Sequence, residues 1–239
     1  MALIKSISGI RGTIGGTPGK GLTPVDIVKY TTAYAAWAKN QNKGKKVIVG
    51  RDGRISGELV RNLVTATLQS CGMDVTDLGL STTPTVEMAV KKEEAAGGII
   101  LTASHNPKEW NALKLLNNEG EFLSGEDGQW ILDHADKTEL VYEDINKIGK
   151  LQHDDSYIQK HIDAILTHPL VDAKAIREKN FTIIVDPVNS TGALAVPQVL
   201  KALGVENIIV INEEVTGKFA HNPEPVPENL RELCGQVSK

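Results

Sequence analysis

The chain has 239 residues, 41% of them hydrophobic and 23% charged, with 26 basic and 30 acidic side chains and a formal net charge of −4. That profile fits a soluble globular protein of one large domain or two ordinary ones and excludes a disordered chain. No basic stripe stands out to hold nucleic acid, and no apolar run is long enough for a secretory signal or a membrane span.

In chain order, Thr23-Pro24 reads as an N-cap with proline at the first helical position, opening a helix to about Asn40. Lys46 to Val49 is a short β-branched run, expected to be a buried strand. After the loop from Gly50 to Ile55, Ser56 offers an N-cap. The stripe Leu59, Val60, Leu63, Val64, Thr67, Leu68 and Cys71 then follows, and Gly72 stops it. A strand is expected near Asp74 to Leu78. Thr83-Pro84 should start a helix ending at Gly97-Gly98, with strands at Gly98 to Thr102 and Leu113 to Leu116. Asn117 to Gly120 is a turn, and Ser124 with Asp127 forms a capping-box variant for a helix through about His134.

The apolar periodicity fades between about Tyr142 and Asp155, which places a boundary there: 1–150 is one domain and 151–239 a second. A helix from Ser156 to Thr167 with Ile158, Ile162, Ile165 and Leu166 inward opens the second. It then repeats the first unit's order: strand Phe181 to Val185, loop, helix to Leu203, stop at Gly204, strand Asn207 to Ile211. Alternating strands and helices argue an α/β fold with ligands at the carboxyl ends of strands. A proline-rich loop from Phe219 to Pro227 and a helix from Glu228 to Val237 close the chain, so the second domain is expected to be truncated. Cys71 and Cys234 make neither a disulfide framework nor a metal-ligand spacing, and a reduced, cytoplasmic setting is expected.

Thr102-Ala103-Ser104-His105-Asn106-Pro107 follows the third buried strand, so Ser104 is presented on a loop at the rim of the sheet. His105 and the loop amides can donate to phosphoryl oxygens, and Lys114, expected to begin the next strand, can reach the same mouth. Read by themselves, Ser104 is a turn cap, His105 a solvated histidine, Arg11 a surface arginine beside a glycine turn and Lys114 a strand-edge lysine. No G-x-S-x-G elbow surrounds Ser104 and no G-x-G-x-x-G follows a strand, which leaves hydrolase and dinucleotide readings without support. Asp52, between Arg51 and Arg54, reads as structural rather than as a base.

The string T-A-S-H-N-P resembles the phosphoserine loop of the α-D-phosphohexomutases, the phosphoglucomutase, phosphomannomutase and phosphoglucosamine mutase family. Further stretches match in order: Ser8-Gly9-Ile10-Arg11-Gly12, Gly50 to Gly57, Asn111-Ala112-Leu113-Lys114, and His221 to Pro225 with Glu228-Asn229-Leu230. The resemblance implies two related α/β/α domains with mixed, mostly parallel sheets. It implies an isomerase that moves phosphate between the 1- and 6-positions of a hexose through a bisphosphate intermediate. Ser104 would carry the phosphoryl group, with Arg11, Lys114 and His105 as catalytic partners. Arg11, Asn106 and Lys114 would hold the phosphate of a hexose phosphate substrate. Arg11 supplies a fork to phosphate oxygens, and Lys114 a point charge or, desolvated, a proton acceptor. In the family Mg²⁺ is held by the phosphoserine and three aspartates of a D-G-D-x-D-R loop. Ser104 through its phosphate would be one ligand, but the aspartate loop, the sugar-choosing loop and the C-terminal phosphate loop have no match here. An inactive fragment is therefore the expectation, with a non-catalytic sugar-phosphate or protein-binding module as the reading from another class. Neither substrate identity nor oligomeric state follows from these residues.

Overall fold

The computed structural model describes residues 1–6, 9–137 and 141–237. The first unit runs β1 (Leu3–Ser6), β2 (Gly9–Thr13), α1 (Pro24–Asn40), β3 (Lys46–Arg51), α2 (Gly57–Ser70), β4 (Asp74–Leu80) and α3 (Thr83–Lys92). It continues through β5 (Gly97–Leu101), β6 (Trp110–Leu116), α4 (Gly125–Lys137) and β7 (Leu151–His153). The second comprises α5 (Tyr157–Thr167), α6 (Ala173–Glu178), β8 (Thr182–Val185), α7 (Gly192–Ala202), β9 (Asn207–Val210), a 3₁₀ turn (Pro227–Asn229) and α8 (Arg231–Val237).

Seven strands form one sheet in the order β1-β2-β6-β5-β3-β4-β7. The pairs β3–β4, β3–β5 and β4–β7 are parallel, as is the separate pair β8–β9, while β1–β2, β2–β6 and β5–β6 are antiparallel. Helices cover both faces, because side chains of a strand alternate in direction. Val47, Val49, Ile99 and Leu101 meet α1, α2 and α4 on one side. Ile48, Ile100 and Leu116 meet α3 and Tyr157 of α5 on the other. The chain is thus the mixed, mostly parallel α/β/α architecture expected, and the second unit repeats the strand–loop–helix–strand order of the first.

Local signals explain most boundaries. Thr23 caps α1 in a reciprocal box: its hydroxyl accepts from Asp26 N, and the Asp26 carboxylate accepts from Thr23 N at 3.1 Å. Ser124 caps α4 with its hydroxyl, which accepts from Asp127 N at 3.1 Å and donates to Asp127 Oδ2 at 2.6 Å. Gly72 and Gly204 both take left-handed φ, at +77° and +88°, just past α2 and α7.

Other boundaries differ from the expectation, each for a physical reason. Ser56 has helical backbone angles and no capping bond, because its hydroxyl accepts from Asn111 Nδ2 at 3.0 Å instead. Leu59 is 51% exposed, so the inward stripe of α2 begins at Val60. The cap of α3 is Thr82, and the helix stops at Lys92, well short of Gly97-Gly98. Those glycines lie inside β5, where a Cβ on Gly97 would come within 2.2 Å of the Tyr34 hydroxyl. In α5, Leu166 faces outward and Tyr157 takes the buried place. The last helix starts at Arg231, after a 3₁₀ turn fixed by Pro227. Leu151–His153 adds to the first sheet alongside β4, so that sheet runs past residue 150.

Two differences bear on the site. The stretch around Arg11 is a strand, not a loop: Arg11 pairs with Ala112 and Ile10 with Leu113 across β2 and β6. Lys114 lies inside β6, opposite Ile100, rather than at its start. Ser8 lies outside the described residues. No helix among the described residues is long and apolar enough to cross a membrane.

Candidate active site

The loop 102–107 leaves the carboxyl end of β5 and is held almost wholly through its backbone. Arg54, whose side chain is fully buried, donates from Nη2 to the carbonyls of Ser104 at 2.8 Å and Asn106 at 2.7 Å. Its Nη1 donates to the carbonyls of Pro107 at 2.7 Å and Trp110 at 2.9 Å. Nε completes the set with a 3.0 Å bond to Asp52 Oδ2. All five N–H groups of a guanidinium are donors and the ion does not lose its proton, so one side chain can pin several carbonyls at once.

Asp52 closes the arrangement from the other side. It accepts from Thr102 Oγ1 at 2.6 Å and from Arg54 N at 3.0 Å. Thr102 Oγ1 in turn accepts from Ser104 N at 3.0 Å. Burial pushes the Asp52 carboxyl up and the Arg54 guanidinium down, and the charge of each opposes the other's shift. Asp52 is therefore occupied in structure, as its flanking arginines suggested. Held this way, Ser104 adopts a left-handed φ of +53°. Such an angle is uncommon for a residue with a Cβ and clusters at functional sites. The Ser104 residue itself is exposed.

A cavity of about 300 Å³ opens beside the loop, and it brings together every residue singled out by sequence. Ser104, His105 and Asn106 enter from the loop, Arg11 from β2 and Lys114 from β6, with Phe122 at the wall. The β2–β6 pairing explains how two cations 103 positions apart in the chain reach one mouth. Lys114 lies over the Phe122 ring, 5.7 Å from its centroid. Burial holds its ammonium below the usual lysine range; Arg11 adds to that shift, while Asp52 and Glu87 oppose it.

The second unit closes a further cleft of about 380 Å³ over the same loop. Ser104 and His105 face Pro187, Val188, Ser190 and Thr191 from the β8–α7 loop, and Phe219, Pro223 and Pro225 from the proline-rich segment. Val188 and Asn189 are both left-handed, with φ of +50° and +54°. For a β-branched valine this is strained, and it turns the loop so that Ser190 Oγ accepts from Gly53 N at 3.0 Å. Asp186, just past β8, matches the place of Asp52 just past β3. It too is buried and paired, with His221 Nε2 at 2.8 Å. His221 Nδ1 lies 2.8 Å from the Asn222 carbonyl. A carboxylate and a carbonyl both accept, so the charged ring, with both nitrogens donating, satisfies the two contacts at once. Partial burial works against that charge, but the bonds to Asp186 and Asn222, with the charges of Asp186 and Glu232, outweigh it and raise the pKa above the usual histidine value.

Sequence reasoning found the cavity's polar lining and gave no role to the residues that hold its loops, Arg54, Thr102, Asp186 and His221. The signal available was the acid placed one residue past a β-branched strand, at Asp52 and again at Asp186. As for a metal, no group of three or more His, Cys, Asp or Glu side chains that could hold an ion occurs among the described residues. The residues present do not fit a complete Mg²⁺ site.

Fold and site together give two related α/β/α units with a serine-bearing loop and two cations at one cavity. Family models for phosphoglucomutase/phosphomannomutase match domain I over residues 3–141 and domain II over 159–239. The chain belongs to the α-D-phosphohexomutase family. It is 35% identical over 224 residues to a phosphoglucomutase/phosphomannomutase of Thermococcus kodakarensis, covering 92% of this chain and 48% of that protein. It is 33% identical over 240 residues to a phosphoglucosamine/phosphogalactosamine mutase of Sulfurisphaera tokodaii, covering 99% and 50%. A crystal structure of a phosphoglucomutase/phosphomannomutase family protein from Burkholderia thailandensis shares the fold, with a TM-score of 0.79 at 24% identity over 98% of this chain and 49% of that one. The chain spans about half the length of the curated relatives it matches.

Two measurements check this account of the site. Arg54→Met leaves a buried carboxylate without its cation and takes a donor from four carbonyls, of which that of Pro107 keeps Trp110 N. We expect it to lower the unfolding free energy in urea by about 3–5 kcal/mol, the range for breaking one partner of a buried pair; a loss below about 1 kcal/mol would contradict that. For His221, a raised folded pKa means the stabilisation is complete below the unfolded value of 6.5 and is lost as pH rises through the folded value. The stability difference between the wild type and His221→Gln should accordingly be largest near about pH 6 and shrink towards about pH 9. A difference constant across that window would show that the ring is not charged.

Proposed function

We propose that Ser104 carries a phosphoryl group and exchanges it with a hexose monophosphate, in a whole protein acting as a phosphoglucomutase/phosphomannomutase. One observation carries this reading: a left-handed serine faces a cavity that also receives Arg11, Lys114, His105 and Asn106. A phosphoserine brings nearly two negative charges. Two cations and the loop's own donors are the partners such a group needs. In the forward step the bond from phosphorus to Ser104 Oγ breaks as a bond forms to a free sugar hydroxyl. The hydroxyl proton passes to a base as Ser104 Oγ takes up a proton on leaving; Lys114 is that base in its neutral form, which burial favours, and a cation in its protonated form. The hexose bisphosphate then returns its other phosphate to Ser104, and the monophosphate isomer leaves. Arg11 and Asn106 orient phosphoryl oxygens, and His105 donates to them.

Mg²⁺ is proposed for the whole protein, with the Ser104 phosphate as the single ligand drawn from these residues. A cytoplasmic setting goes with that reading. An amino-sugar substrate is a second reading, favoured by the likeness to the Sulfurisphaera tokodaii mutase and by 36% identity over 227 residues to a phosphoglucosamine mutase of Methanococcus aeolicus.

In the whole protein, peptide mapping should find phosphate on Ser104, and Ser104→Ala should abolish turnover. Arg11→Ala and Lys114→Ala should each slow it by about 10² or more, as loss of a positioned acid–base or charge-stabilising group does. Near-normal turnover in Ser104→Ala would sink the mechanism. The 239 residues alone, assayed with glucose 1-phosphate and glucosamine 1-phosphate, Mg²⁺ and a bisphosphate activator, should give no turnover. A rate of roughly 1 s⁻¹ or above, in the ordinary enzyme range, would mean that these residues suffice.

A further inference from the structure

We propose that Glu224 is a positioning residue for His105, delivered to it by a strap, Phe219–Pro225, that ties the second unit across the 102–107 loop. The importance given to His105 rests on the function proposed above; the strap does not.

The strap is restrained along its length. At its root, Gly217 N donates to Asn189 O at 3.0 Å, and a Cβ on Gly217 would meet the Gly53 carbonyl at 2.2 Å, so the two backbones touch across the seam. Phe219 lies over the Arg54 guanidinium, 5.2 Å from carbon to ring centroid, on the same cation that pins the loop's carbonyls. Ala220 N donates to Asn189 Oδ1 at 3.0 Å, and His221 is bound to Asp186. Beyond that anchor, Asn222 Oδ1 accepts from Glu224 N at 3.1 Å, and the Glu224 carbonyl accepts from Asn229 Nδ2 at 2.9 Å. Pro223 and Pro225 fix φ on either side of Glu224. The backbone of Glu224 is therefore held from both directions, although its side chain is open to solvent.

That side chain reaches the other unit. Glu224 Oε2 stands 3.2 Å from His105 Nε2. An exposed pair of this kind adds little to stability, and both side chains are about half exposed. Its consequence is orientation: with Nε2 engaged by the strap, the ring has one direction in which to present its remaining edge. Loop side chains otherwise sample several rotamers, and a positioned group loses effectiveness with small misplacements. The Ser104-bearing loop thus has its backbone set from within the first unit by Arg54 and its histidine set from the second by Glu224.

The test uses both the chain and the whole protein that contains it. In ¹³C-resolved NMR of the 239-residue chain, Glu224→Gln and Glu224→Ala should move the His105 ring signals and leave those of His153 and His161 in place. In the whole protein Glu224→Gln should lower kcat about tenfold with KM within about twofold. Added to His105→Ala it should cause no further loss, because coupled residues are non-additive. Unmoved His105 signals, or losses that add in the double variant, would overturn the proposal. Should turnover survive Ser104→Ala, the reading of Ser104 fails, and the ring signals still decide whether Glu224 holds His105.

Discussion

The site depends on one buried ion pair. Asp52 and Arg54 lie two residues apart on the β3–α2 loop, and a pair so buried has little net effect on stability compared with an apolar replacement. What it does instead is geometric. Asp52 fixes the guanidinium at Nε, and the four remaining N–H directions then fall on carbonyls of the segment from Ser104 to Trp110. A rim loop, ordinarily among the more mobile parts of a fold, is in this way joined to the sheet. The left-handed serine and the direction from which it meets the cavity follow from a loop held in this way.

The second unit uses the same plan with a different cation. Asp186 stands where Asp52 stands, but its partner His221 arrives from a segment 35 residues on. The first pairing binds a loop within its own unit; the second binds a strap that crosses to the neighbouring one. Guanidinium is charged at every pH a protein meets, whereas imidazolium is not. One anchor is thereby permanent and the other conditional, and the conditional anchor lies between the two units.

Much of this architecture was legible in the residues. Thr23-Pro24 and Ser124 with Asp127 carry their helix starts in the side chains, and β-branched runs such as Lys46 to Val49 mark central strands because burial on both faces demands them. The β2 strand was not legible: Gly9-Ile10-Arg11-Gly12-Thr13 has neither a β-rich composition nor a clean alternation, and it exists because β1 and β6 pair with it. Leu151–His153 is too short and exposed to announce itself, and Ser56 is drawn from its cap by Asn111, a partner 55 residues away. At the site, the six-residue string pointed to Ser104, His105 and Asn106, and the family resemblance to Arg11 and Lys114. The function of Arg54 was out of reach, since nothing local says that its guanidinium turns towards carbonyls about fifty residues distant. Long-range pairing is what sequence order hides.

Arg54 meets the loop only at carbonyl oxygens, so this part of the hold does not read the side chains of residues 104 to 106. Shape and reactivity are separated in the way a socket is separate from the tool it holds. Residues 105 and 106 can then be varied with these backbone contacts left in place, while the left-handed φ at 104 restricts what can stand there. A different nucleophile or a different donor would meet the same cavity from the same direction. New chemistry at this rim need not wait for a new fold to support it.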